Sequence, residues 1–299
     1  MNIIKVWILA SRPKTLFATL APIIIGLSLS YEFSGMINWG ISLMIISSAI
    51  LLQIGSNYAN DAYDYLKGAD TKLRKGPKRM VQNGLLSPQA VLNMMYFLFI
   101  ISVIIGYFLA EIGGWPIVII GLSSIIFAIA YTGGPYPLGY NGFGDITVFI
   151  FFGIIATSGT AYLQLISYNI KVYDFIVEIL IASSAVGFLN VAILVVNNLR
   201  DIDSDKLANK KTLAVTFGSK FSCYEYSALL IGNCICYCIL GYIWGNYMLF
   251  IAAMIMIILS YFLIKKIFQF KVTDLNKILE QTAQLSFLSS ILFCLATII

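Results

Sequence analysis

No histidine occurs in the 299 residues, and charged side chains make up only 11% of them. Without imidazole, His-ligated zinc, haem and every His-based catalytic triad are excluded. Cysteine is scarce and carries no Cys-x-x-Cys spacing: Cys223, Cys234, Cys236, Cys238 and Cys294 lie in or at the edge of apolar runs. There they read as small packing hydrophobes. The alternating pattern of barrel strands is missing too, because the apolar runs are continuous. What fills the space is apolar: 60% hydrophobic residues and a mean hydropathy of +0.89 take the chain outside the range of soluble domains.

The fold expected is therefore an all-α polytopic membrane protein. Spans of about 20 apolar residues fall at 15–31, 38–58, 89–110, 114–131, 146–167, 175–198, 222–243, 247–264 and 279–298, nine helices around a central cavity in one domain, 1–299. Residues 2–11 read as an interfacial helix, since a cleaved leader would end at small residues instead of running into a full-length span. With the N-terminus inside, the inner segments collect Lys5, Arg12 and Lys14, six basic residues between Lys67 and Arg79, five between Arg200 and Lys220, and four between Lys265 and Lys277. Only Lys171 of the 19 is left outside. That bias places the N-terminus and the long loops in the cytoplasm, the C-terminus outside, and the protein in the cell (inner) membrane. The net charge of +5 is this bias and calls for no nucleic-acid partner; no obligate protein partner is evident.

Of only 14 acidic residues, six crowd into two windows: Asp61, Asp64 and Asp70 near the end of the second span, and Asp201, Asp203 and Asp205 near the end of the sixth. At 3.6 residues per turn, Asn57, Asp61 and Asp64 are expected on one helix face, and Asn197, Asp201 and Asp205 on another. Crowded carboxylates need a cation, and carboxylate and amide oxygens suit Mg²⁺ with substrate phosphates completing its shell. Both windows end on the cytoplasmic side. Asn57-x-x-x-Asp61 and Asn197-x-x-x-Asp201 lie four spans apart, a weak repeat of four-helix units, 12–131 and 144–264, with 279–298 left over.

Other segments carry weaker signals. Arg12 and Lys14 before the first span either set topology or fork onto a diphosphate or carboxylate. The segment Tyr65 to Ser87, with Lys67, Lys72, Arg74, Lys75, Lys78 and Arg79, either balances charge at the membrane edge or closes as a lid over a polyanion. Tyr131, Tyr136 and Tyr140 in a Gly- and Pro-rich connection form either an interfacial belt or a substrate wall. Asn190 stands on the face leading to the second acidic window, where a polar side chain faces the bundle interior. Gln164 and Thr160 read as interhelical hydrogen bonds, Lys211 lies in the basic stretch after Asp205, and the last three spans read as scaffold and lipid-chain wall.

Two acidic helix ends under basic loops suit a substrate with a diphosphate head and a greasy tail. Loss of diphosphate from an allylic tail leaves a carbocation, which ring faces stabilise and a dry bundle protects from water. At Arg12-Pro13-Lys14-Thr15, Asn60-Asp61, Lys67-Gly68-x-Asp70, Gly76-Pro77-x-Arg79, Tyr131-Thr132-Gly133-Gly134-Pro135 with Pro137-Leu138, and Asn197-Asn198-x-Arg200-Asp201, the sequence resembles the UbiA-type intramembrane prenyltransferases. Their signatures are two Asp-rich motifs on the second and sixth of about nine helices. The resemblance implies a Mg²⁺-dependent enzyme, two ions bridging the diphosphate, with Asn57, Asp61, Asp64, Asp201 and Asp205 as metal ligands and Arg79 joining the four aspartates in catalysis. It implies substrate contacts from Asn57, Asn60, Lys67, Arg12, Lys14, Tyr131, Tyr136, Tyr140, Asn190, Asn197, Asn198, Arg200 and Lys211. The partners implied are a polyprenyl diphosphate and an aromatic acid, 1,4-dihydroxy-2-naphthoate. The ring attacks, carbon dioxide and diphosphate leave, and demethylmenaquinone results. Members acting on 4-hydroxybenzoate tend to carry a Lys-Arg pair where this chain is Gly-rich, which disfavours that acceptor and leaves Arg12 or Arg79 to hold the carboxylate. Homogentisate or a chlorophyllide is the alternative acceptor, and a cation or lipid transporter the alternative class.

Overall fold

The computed structural model describes residues 2–69, 76 and 79–299. Asp70, Lys72, Arg74, Lys75 and Lys78 of the basic segment lie outside the described residues. The described chain is helical, with no strand among the described residues. A short helix α1 (Ile3–Ser11) is followed by α2 (Leu16–Ser34), α3 (Trp39–Leu66), α4 (Pro88–Gly113) and α5 (Trp115–Ala130). Then come α6 (Gly144–Ile166), α7 (Ile176–Leu207), α8 (Leu213–Trp244), α9 (Tyr247–Phe268) and α10 (Leu275–Ile298). Eight described segments are long and apolar enough to cross a membrane. The expected fourth span, α5, has only 16 residues; at 1.5 Å per residue it reaches about 24 Å, short of a hydrocarbon core of about 30 Å.

Local chemistry sets the ends. Asn38 caps α3 by accepting from the Ile41 amide, Ser87 caps α4 from Ala90, and Thr212 caps α8 from Val215, each satisfying a donor the first turn leaves unpaired. Gly218, at φ +85°, kinks α8 one turn in, where an L side chain would be strained.

The helices close into a ring: α10 packs against both α2 and α7, so the last span seals against the first. Lys14 on the turn before α2 pairs with Glu280 of α10 at 3.0 Å, and Phe17 meets Phe287 edge-on at 5.3 Å. Gly153 and Gly187 let α6 and α7 touch backbone to backbone; a Cβ on Gly153 would fall 2.6 Å from the Gly187 Cα. Over Ile150–Ile155, α6 widens into π-type turns. The Phe152 carbonyl there accepts from Asn190 of α7 at 2.9 Å, which also donates to the Ala18 carbonyl of α2 at 3.1 Å. Gln164 ties α6 to the start of α3 through Asn38 and Ser42. Thr160, expected to bridge helices, donates instead to Ala156 one turn back on its own helix. All five cysteines are free.

Candidate active site

A cavity of about 690 Å³ lies between α2, α3, α4, α5, α6 and α7. Its polar end holds Arg12, Asn57, Asn60, Asp64 and Arg79 from one side and Asn197, Asn198, Asp201 and Asp205 from the other, with Tyr131, Tyr140 and Lys210 between. The deeper wall is apolar, built by residues such as Leu109, Val118, Ile125, Phe151 and Phe152. Neither α8 nor α9 lines it, and Leu279 is the contribution of α10. The last three spans therefore brace the cavity more than they wall it.

The first acidic end is held by residues far away in sequence. Asp64 is buried, and its Oδ2 accepts from Arg79 Nη2 at 2.7 Å. Its Oδ1 accepts from Tyr140 Oη at 2.6 Å and Lys210 Nζ at 3.2 Å. Asp61 was expected on the same face as Asn57 and Asp64, but it is not among the cavity's lining residues. Its Oδ2 accepts the Met80 amide at 3.1 Å, fixing the returning chain onto α3. Asn60 takes the cavity-lining place, accepting from Thr132 at 2.9 Å. Asn57 turns its amide group to the chain entering α2, donating to the Ser11 carbonyl and to Thr15 Oγ1, each at 2.9 Å. That grip holds a turn in which Arg12 adopts φ +52° and reaches the cavity.

The second acidic end is held locally. Arg200 forks onto its neighbour Asp201, Nε to Oδ1 at 2.9 Å and Nη2 to Oδ2 at 2.6 Å, and also reaches Asn197 and Asn276. Both partners are buried. Asp205, one turn on, is half-buried and lines the cavity.

Between the ends, Lys210 sits 4.4 Å over the Tyr140 ring and Lys67 5.2 Å from it. Lys67 donates to the Thr132 and Gly134 carbonyls, at 2.8 and 3.1 Å. Burial pushes its pKa down, Asp64 opposes that shift, and Lys210 adds to it. The Tyr131 hydroxyl is pushed up by burial first and then by the charges of Asp145, Asp64 and Asp205. One phenol thus feels both acidic ends.

The sequence and the fold match known proteins. The model of the UbiA prenyltransferase family matches residues 19–291. The chain belongs to the UbiA prenyltransferase family. It is 34% identical to the 1,4-dihydroxy-2-naphthoate octaprenyltransferase of Haemophilus influenzae, covering 99% of this chain and 96% of that one. It is 32% identical to the Escherichia coli protein of the same name, covering 97% and 94%. Among solved structures, a UbiA homolog from Aeropyrum pernix superposes with a TM-score of 0.73 at 12% identity, over 96% of this chain and 98% of that one. A UbiA homolog from Archaeoglobus fulgidus bound to GPP and Mg²⁺ superposes at 0.69 with 16% identity, over 98% and 100%. Like its relatives, this chain is a multi-pass membrane prenyltransferase.

As a UbiA-family site, the polar end offers oxygen donors alone: Asn57 and Asp64 on α3, and Asn197, Asp201 and Asp205 on α7. Such a set fits a hard divalent cation. Among the described residues no three acidic or cysteine side chains gather at one point. Each helix end therefore offers one or two carboxylates, the number Mg²⁺ takes beside phosphate oxygens. Several residues singled out from sequence stand elsewhere. Lys14 pairs with Glu280 at the surface. Tyr136 is 60% exposed and outside the lining. Lys211 is exposed, and its backbone amide donates to the Tyr140 carbonyl at 2.7 Å. Arg200 acts on Asp201 from behind the wall. Lys210 and Gln53 line the cavity and were not singled out. Gln53 donates to Thr15 and Asn57, and its place one helical turn before Asn57 was the available signal.

Proposed function

We propose that this chain transfers a polyprenyl group from a polyprenyl diphosphate to 1,4-dihydroxy-2-naphthoate, losing carbon dioxide and diphosphate. The product is the demethylmenaquinol that oxidises to demethylmenaquinone. The observation that carries this reading is one cavity lined by both acidic helix ends and continuing into an apolar wall. The names of relatives at 34% and 32% identity support the naphthoate acceptor.

In this reading the diphosphate lies between Asp64 and the Asp201–Asp205 pair, with Arg79 and Lys210 within reach of its oxygens. Asn57, Asp64, Asp201 and Asp205 would hold Mg²⁺, which when bound would offset the charge of the leaving diphosphate. The chain's own groups do the rest. Arg12, fixed by Asn57, is placed to fork onto the acceptor carboxylate. Tyr131 presents its ring to the cation left on the allylic carbon. The apolar wall takes the tail and keeps water from the cation. Asp61 and Arg200 position the two ends, through the Met80 amide and through Asp201. The inward bias of basic residues supports a cell-membrane protein with this polar end at the cytoplasmic surface.

Expression in a cell lacking its own naphthoate prenyltransferase, followed by mass spectrometry of its quinones, tests the proposal. Demethylmenaquinone or menaquinone is expected. Prenylation of homogentisate or a chlorophyllide in an acceptor panel, with none of the naphthoate, overturns the acceptor assignment.

A further inference from the structure

The Asp64 carboxylate is met by three donors, and two of them approach the same oxygen. Tyr140 Oη and Lys210 Nζ both reach Oδ1, while Arg79 takes Oδ2. The side chains of Asp64 and Arg79 are only 4% and 6% exposed, whereas Lys210 is 17% exposed. Lys210 follows α7, so its ammonium bridges from the loop behind one acidic end to the carboxylate of the other. The loop backbone is fixed independently of that ammonium: Lys210 N donates to the Asp205 carbonyl at 2.8 Å and Lys211 N to the Tyr140 carbonyl at 2.7 Å. Only the lysine stem has to move for the contact to exchange, and a four-carbon stem allows it.

We propose that Lys210, steadied by the Tyr140 ring, holds the cation position of Asp64 in the resting enzyme and passes from Asp64 to the diphosphate when substrate enters with its metal. Arg79 answers Oδ2, and Lys210 adds the cation at Oδ1, the oxygen it shares with the neutral Tyr140 hydroxyl, so in the resting site a mobile cation stands at that oxygen. A placeholder of single charge yields to a divalent ion. Having left Asp64, the ammonium stays at the mouth between the two ends, where the diphosphate sits in the reading above, on which this inference rests. Arg79, more deeply buried and on the other oxygen, keeps its contact and orients the carboxylate. Lys210 is thereby a substrate-binding residue, and Tyr140 a positioning residue.

The test is Mn²⁺ binding to the purified full chain in detergent without substrate, followed by electron paramagnetic resonance, for the wild type, K210M, K210R and Y140F. K210M is expected to bind Mn²⁺ about tenfold more tightly, a change of about 1.4 kcal/mol, while its KM for the prenyl diphosphate rises about tenfold. K210R is expected to restore both values to near wild type, because charge is what competes. Y140F is expected to tighten Mn²⁺ about threefold and to raise KM by a smaller factor than K210M does, and it carries the measurement should K210M fail to fold. Unchanged or weaker Mn²⁺ binding in folded K210M or Y140F overturns the proposal. Absence of prenyl transfer by the wild type overturns the functional reading instead, and the Mn²⁺ comparison still decides whether Lys210 competes at Asp64.

Discussion

The two acidic helix ends carry similar side chains and are neutralised in opposite ways. On α7, Asp201 takes a bidentate fork from Arg200, the next residue, which is itself anchored to Asn197 and Asn276. On α3, Asp64 is met by Arg79, Tyr140 and Lys210, from three separate connections. A local fork is preorganised by its own helix. A carboxylate held by distant loops changes partners when those loops move. The α7 end therefore reads as the fixed half of the site and the α3 end as the half that exchanges contacts on loading.

The largest effects test what the ends share. D64N and D201N are each expected to lower kcat by about a hundredfold or more, as loss of a charge-stabilising group in a water-poor site does, with labelled prenyl diphosphate in membranes as the assay. A variant retaining full rate removes its end from the reaction. The next pair tests how they differ. R200M leaves a buried carboxylate without its partner and is expected to cost about 3–5 kcal/mol of stability, read as a large drop in Tm in detergent. R79M leaves Asp64 with Tyr140 and Lys210, so a smaller Tm loss and a raised KM for the diphosphate are expected. Equal Tm losses would erase the distinction.

Smaller effects sharpen it. N57A removes both bonds to the turn that carries Arg12, and a loss of about 1–3 kcal/mol is expected, with KM rising for the naphthoate through Arg12 and for the diphosphate through the lost metal ligand. K14Q is expected to change the rate by less than about twofold, because the Lys14–Glu280 pair, 79% and 48% exposed, is a solvated contact of little worth.

The positions of the spans were legible because apolar length is a local property. So were the two acidic windows, whose crowding needs only counting. The facing of particular side chains was harder. Asn60 and Asp61 are adjacent, 100° apart on α3, and both satisfy a helical spacing from Asn57 or Asp64. The Met80 amide donates to Asp61 and Asn60 lines the cavity, a choice the loop after α3 makes. Lys210 and Lys211 are equally basic neighbours; the backbone bond from Lys211 to Tyr140 turns the Lys210 side chain inward. Gln53 went unnoticed because one amide in an apolar run resembles any interhelical hydrogen bond. The bounds of α5 were legible to within a residue at each end, because Gly114 and the Thr132–Pro135 turn mark them.

The sequence by itself determined a membrane bundle and the two helix ends where carboxylates collect. Hydropathy and charge act on each segment separately, so one chain read in order carries them. Only the tertiary structure decided which carboxylates share a cavity and which cations answer them. Asp64 lies 146 residues from Lys210, and a pairing across that distance exists only where the fold sets the end of α3 beside the loop that follows α7.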